Sequence, residues 1–136
     1  MTRREAREQA FLLLFEHSFR PEETLSEIVE RAAEGRDMQV DLYAAAVSQK
    51  AVEHEQELDA QIQAHLKNWT MNRISRVSLV LLRLALCEML YEPDVPVSVS
   101  INEAVELAKQ YAPEDDASFI NGVLGSVARA EALEQD

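Results

Sequence analysis

The sequence predicts an all-α domain of about six or seven helices, and three observations carry that expectation. Only three glycines and four prolines occur in 136 residues, which suits helices joined by short turns. Apolar residues recur at helical intervals through most of the chain. The only strand-like alternation, "VPVSV" at 95–99, is too short to found a sheet. At 47% hydrophobic residues, the chain has enough apolar mass for one core.

The first helix is expected to start at Thr2, which stands in capping-box spacing with Glu5. Ala6, Ala10, Leu13 and Leu14 form its apolar face, and "RPEET" breaks it near Pro21. A second helix carries Leu25, Ile28, Val29 and Ala32 on one side and stops near Gly35. From Asp37 to Trp69 the pattern fits one long helix or two in tandem. Tyr43, Ala46, Val47, Lys50 and Ala51 lead into Leu58, Ile62, Leu66 and Trp69. "ISRVSLVLLRLALCEMLY" is apolar on nearly all sides and is expected to be the buried central helix. Two prolines in "EPDVPVS" end it. In "SINEAVELAKQY", Ser100 and Glu103 repeat the capping-box spacing, with Ile101, Val105, Leu107 and Ala108 behind them. The acids of "APEDDAS" favour a helix start. The last helix is expected to turn Phe119, Val123, Val127 and Ala130 inward, and the acidic end of the chain to fray.

Composition narrows the function classes. A single cysteine, Cys87, excludes an internal disulfide framework and fits a reducing compartment. The apolar run Val77–Tyr91 is shorter than the roughly 20 residues a bilayer needs, and it contains Arg83 and Glu88. No secretory signal is recognisable, so a cytoplasmic protein with no membrane contact is expected. There is no glycine-rich phosphate loop and no cysteine cluster for zinc. His17, His54 and His65 are scattered, Cys87 reads as a small core residue, and the acids of "EHEQELD" read as a solvated face. No enzyme, metal or cofactor is expected. Gly122 and Gly125 in "NGVLG" share one side of a helix; a close helix–helix contact is the first reading, room for a ligand the second.

The net charge is −12, yet residues 1–20 and 73–92 each carry a net +1, and all seven of their cations are arginines. Arg4, Arg7, Phe11, Phe15 and Ser18 fall within about an 80° sector of the first helix, with Arg3 at its edge. Guanidinium groups bind phosphates bidentately and aromatic faces stack on unpaired bases. The plainer reading is core phenylalanines beside ordinary surface charge. Against it, helix stability alone calls for acids in a first turn, not arginines. Arg73, Arg76 and Arg83 flank the central helix. Arg83 needs an acidic partner or a route to water, and a structural ion pair is its first reading.

Taken in order, "RREAREQAFLLLF", "LRLALCEMLYEPDVP", "SINEAVELAKQY" and "FINGVLGSVAR" resemble the NusB family of bacterial transcription antitermination factors over nearly the whole chain. The resemblance implies two three-helix-type bundles packed side by side, over about 1–72 and 73–132 of a single domain, with 133–136 as a tail. It implies a non-enzymatic role within the RNA polymerase antitermination complex: binding the boxA element of ribosomal RNA transcripts with the ribosomal protein NusE. Arg3, Arg4 and Arg7 match the family's basic RNA contacts, and Phe15 stands where the family often has a tyrosine. Lys109, Tyr111, Asp115 and Phe119 match the rest of that surface. Arg76, Ser78, Leu79 and Arg83 match the face for the protein partner. The chain departs from the family pattern at Glu5, at Asp116 and Ser118, and at Val77–Leu79, which is less charged here. A partner supplying positive charge would let so acidic a chain hold RNA. A scaffold that binds only protein is the alternative, and a fragment of an RNA methyltransferase a more distant one. Some family members self-associate, and the sequence leaves that open.

Overall fold

A computed structural model describes residues 1–35, 39–67 and 70–133. Trp69 and the last three residues of the expected tail lie outside the described residues. Those described form seven α-helices and one short 3-10 turn, with no strand. The helices are α1 (Arg3–Phe19), α2 (Leu25–Gly35), α3 (Leu42–Glu53), α4 (Glu55–Ala64), α5 (Arg76–Tyr91), α6 (Val97–Tyr111) and α7 (Asp116–Ala130), with the 3-10 turn at Met71–Arg73.

Local chemistry sets most of these boundaries. The Thr2 hydroxyl accepts the Glu5 N–H at 3.1 Å, and Glu5 accepts the Thr2 N–H at 2.8 Å, so the expected capping box closes. Thr24 and Glu27 form a second, unanticipated one at the start of α2. Asp41 caps α3 by accepting from Tyr43 and Ala44. The long third segment resolves into two helices that break at His54, whose ring stacks on Tyr91 with centroids 4.2 Å apart.

α5 is the axle of the fold. It packs against α1, α3, α4, α6 and α7, and ten of its sixteen residues are buried. One hydrophobic core surrounds it, drawing Phe11, Leu58, Ile62, Leu82, Leu86, Ile120 and Leu124 together. A smaller cluster of Leu13, Leu25, Ile28 and Ala32 joins α1 to α2. The N-termini of α5 and α7 are tied by Asp116, which accepts from Ser75 at 2.8 Å and Ser78 at 2.6 Å.

Three expectations are corrected. α6 starts at Val97, directly after Pro96, so Ser100 is no cap. Proline fixes the φ that a helix entry needs, and the cap falls four residues early, at Pro96. Ser100 is buried inside α6, and its hydroxyl has no partner among the described residues. On α7 the inward set is Ile120, Val123, Leu124, Val127 and Ala128; Phe119 is half-buried and Ala130 exposed. The glycines of "NGVLG" do not mediate a helix–helix contact. A Cβ at Gly122 would meet nothing within 4 Å, and one at Gly125 would meet only the Arg129 side chain.

Candidate nucleic-acid interface

The three N-terminal arginines have three different environments. Arg3 is exposed and lays its guanidinium over the Tyr43 ring, 3.7 Å from the centroid. Arg4, with a side chain 73% exposed, donates to both oxygens of Glu103 at 2.9 and 2.7 Å. That bond holds the Glu103 carboxyl below the usual carboxylate range and raises the Arg4 guanidinium further. Arg7 turns inward. It is 5% exposed, and its Nε donates to both oxygens of Glu88, each at 2.9 Å. Glu88, on α5, is 1% exposed and also accepts from the Tyr43 hydroxyl. Burial, then the Glu88 contact, pushes the Tyr43 phenol well above its ordinary range.

Arg7 is therefore not a surface contact. Ala6, Arg7 and Ala10 all lie on the buried side of α1, and a guanidinium there needs an internal carboxylate. The expected basic stripe is two exposed arginines, Arg3 and Arg4, with Arg7 as the bolt beneath them. Glu103, which resembles a capping residue in the sequence, reaches across to α1 instead. Its Oε1 also lies 4.0 Å from Arg7 Nη1.

The aromatic side of the site is a ladder along α1. Tyr111 lies 5.1 Å from Phe11, Phe11 5.6 Å from Phe15, and Phe15 5.0 Å from Phe19, edge-on. Exposure rises along it. Phe11 is buried, Phe15 half-buried and Phe19 58% exposed. Arg76 covers the Phe19 ring at 4.3 Å and donates to the Ser18 carbonyl at 2.6 Å. From α6, the Tyr111 hydroxyl and the Gln110 amide both donate to Glu8. The Glu8 contact pushes the Tyr111 phenol up to about 12. Lys109 is exposed beside Glu106 at 3.1 Å. The structure thus brings Arg4 and the Phe11–Phe15 ladder of α1 together with Glu103 and Tyr111 of α6, whereas Arg3 lies against Tyr43 of α3 and Lys109 pairs with Glu106 within α6. Phe19, one turn beyond Phe15, was missed in the sequence, although its i+4 spacing was there to read.

Asp115 and Phe119 line a separate cleft of about 450 Å³ at the start of α7, with Lys67, Arg73, Ser75 and Asp116. Of the expected partner residues, Arg76, Leu79 and Arg83 line a cleft of about 590 Å³ with His17, Pro21 and Met71. Arg83 is an ion-pair residue, donating to Asp59 at 2.7 and 2.9 Å with Glu55 3.4 Å away. Ser78 contradicts its expected role. It is fully buried and its hydroxyl is committed to Asp116, so it cannot touch a partner. Among the described residues no group of three or more acids, histidines or cysteines could hold a metal ion. No described helix is long and apolar enough to cross a membrane.

Comparison with known proteins identifies relatives of the whole chain and of its fold. The NusB family profile matches residues 4–129. A transcription antitermination protein NusB from Carboxydothermus hydrogenoformans is 44% identical over 135 residues, covering 94% of this chain and 93% of its own. One from Clostridium novyi is 36% identical over 134 residues, covering 96% of this chain and all of its own. Among solved structures, T. maritima NusB superposes with a TM-score of 0.81 at 35% identity, over 95% of this chain and 92% of that one. A crystal structure of the antitermination factors NusB and NusE in complex with dsRNA gives 0.82 at 30% identity, over 96% and 99%.

Proposed function

The chain belongs to the NusB family of transcription antitermination factors, which are not enzymes, and from that premise we propose that it binds the boxA element of ribosomal RNA transcripts together with NusE. The observation that carries the proposal is the exposed face of α1 and α6. There Arg4, held on Glu103, and the ring ladder of Tyr111, Phe11 and Phe15 share the α1–α6 seam, with Arg3 exposed on α1 and Lys109 exposed on α6. The cations engage phosphates and the rings offer faces to unstacked bases. The solved relative holding NusE and dsRNA supports both partners. NusE docks at the cleft lined by Arg76, Leu79 and Arg83, beside Phe19. With a net charge of −12 the chain repels polyanions at long range, so the partner's positive charge is what raises affinity within the RNA polymerase antitermination complex.

The test is titration of a labelled boxA oligonucleotide with the chain alone and with NusE, at two salt concentrations. Weak binding alone, tighter binding with NusE and a steep loss with salt are expected. Arg3→Gln with Arg4→Gln should weaken binding by roughly tenfold or more, with the helical circular dichroism retained and only a small fall in Tm from the lost Arg4–Glu103 pair. A complex that binds no RNA at low salt overturns the proposal. One observation favours a second reading, a scaffold that binds protein only: Glu103, Glu88 and Glu8 already occupy Arg4, Arg7 and Tyr111. NusE binding that RNA does not strengthen would establish that reading.

A further inference from the structure

We propose that Glu103 sets the affinity for RNA by holding Arg4 in competition with phosphate, and that Arg7 takes over this carboxylate when Arg4 engages a transcript. The inference deepens the RNA-binding reading above and rests on it.

The geometry contains both halves of such an exchange. Arg4 is the more accessible partner, 73% exposed, while the Glu103 side chain is 12% exposed and held on α6. The two-pronged contact at 2.9 and 2.7 Å is the arrangement that a guanidinium also makes with phosphate. A transcript therefore gains from Arg4 only the difference between two bidentate contacts, and its phosphate approaches a carboxylate. Glu103 is not stranded when Arg4 leaves. Arg7 Nη1 is already 4.0 Å from Glu103 Oε1, and its Nε stays fixed on Glu88, with Tyr43 on the same carboxylate. Two anions, Glu103 and Glu88, thus face two cations, Arg4 and Arg7, and the outer cation is the exchangeable one. Such a clamp discards polyanions that offer only scattered charge and yields to a ligand that makes further contacts at once.

The test compares wild type, Glu103→Gln, Arg4→Gln and the double variant, each with NusE, binding a boxA oligonucleotide. Glutamine still accepts a hydrogen bond from Arg4 but carries no charge, so the fold and NusE affinity should persist; thermal unfolding checks this, and Glu103→Ala serves as a second variant. Glu103→Gln is expected to bind RNA roughly three- to tenfold tighter. In the Arg4→Gln background the same change should gain less than about twofold, because the released group is absent. Unchanged or weaker binding by Glu103→Gln overturns the clamp and makes Glu103 a support for Arg4. An equal gain without Arg4 also overturns it, leaving a general charge effect. If wild type with NusE binds no RNA but Glu103→Gln does, the function proposed for the native chain fails and the clamp stands. If neither binds, both fall.

Discussion

Replacing Arg7 with methionine separates a structural arginine from an RNA contact. In the folded protein Glu88 is 1% exposed and takes both Arg7 Nε contacts at 2.9 Å. Without Arg7 the carboxylate keeps, among the described residues, the Tyr43 hydroxyl. Removing one member of a buried pair costs about 3–5 kcal/mol, because the other charge stays behind without compensation. Unfolding entropy near 2.1 cal/mol/K per residue, applied to 136 residues, gives about 0.29 kcal/mol/K. The expected fall in Tm is therefore about 10–17 °C, read by circular dichroism and checked by urea unfolding. Replacing both residues, Arg7→Met with Glu88→Leu, removes the stranded charge and should recover part of the loss. What stays lost is the acceptor of the Tyr43 hydroxyl, about 1–3 kcal/mol if nothing replaces it. A single variant that loses less than about 1 kcal/mol, yet binds RNA far more weakly, would refute the reasoning and restore Arg7 to the surface.

Three further outcomes follow from the packing of the helices. Gly122→Ala should stabilise the protein by about 0.5–1 kcal/mol in urea unfolding, since its Cβ enters open space on a helix; a loss would show that the position needs glycine for packing. Cys87 is buried and its thiol is pushed up to about 12 by that burial, so a thiol reagent at mildly alkaline pH should label it only as fast as the protein opens. Glu103 has a folded pKa lowered mainly by the Arg4 hydrogen bond. Its contribution is full above the ordinary value of 4.5 and is lost as pH falls through the lowered one. The stability gap between wild type and Glu103→Gln should accordingly be widest at neutral pH and close in acid.

The helices were legible because periodicity and caps are local signals. Thr2 with Glu5, the break near Pro21 and the all-round apolar segment that became α5 required nothing beyond their own neighbourhoods. What failed were residues whose partners are distant in sequence. Glu103 lies 99 residues from Arg4, and Glu88 lies 81 from Arg7. No spacing rule connects such pairs, so Glu103 took on a capping role that Pro96 makes unnecessary, and Arg7 was grouped with the exposed arginines. Ser78 failed likewise, since its partner Asp116 is 38 residues away. Arg83 succeeded for a general reason: a cation in an apolar helix must find an acid, and it found Asp59.

These long-range pairs also explain why arginines occupy a helix start where acids would suit the dipole better. The unfavourable placement in α1 is offset by acids on other elements: Glu88 of α5 for Arg7 and Glu103 of α6 for Arg4. Each pair ties α1 to a helix of the second half of the chain. The inner pair is shielded from solvent and salt, so it contributes to position and specificity of packing rather than to ligand affinity. The outer pair is open to both, and its exchange with phosphate is screened by ions. One sequence motif, two arginines a single turn apart, is thereby divided by depth into a fixed anchor and an exchangeable contact. Lysine at position 4 would lose the bidentate fork on Glu103, and lysine at position 7 the Nε–H that the two Glu88 oxygens share.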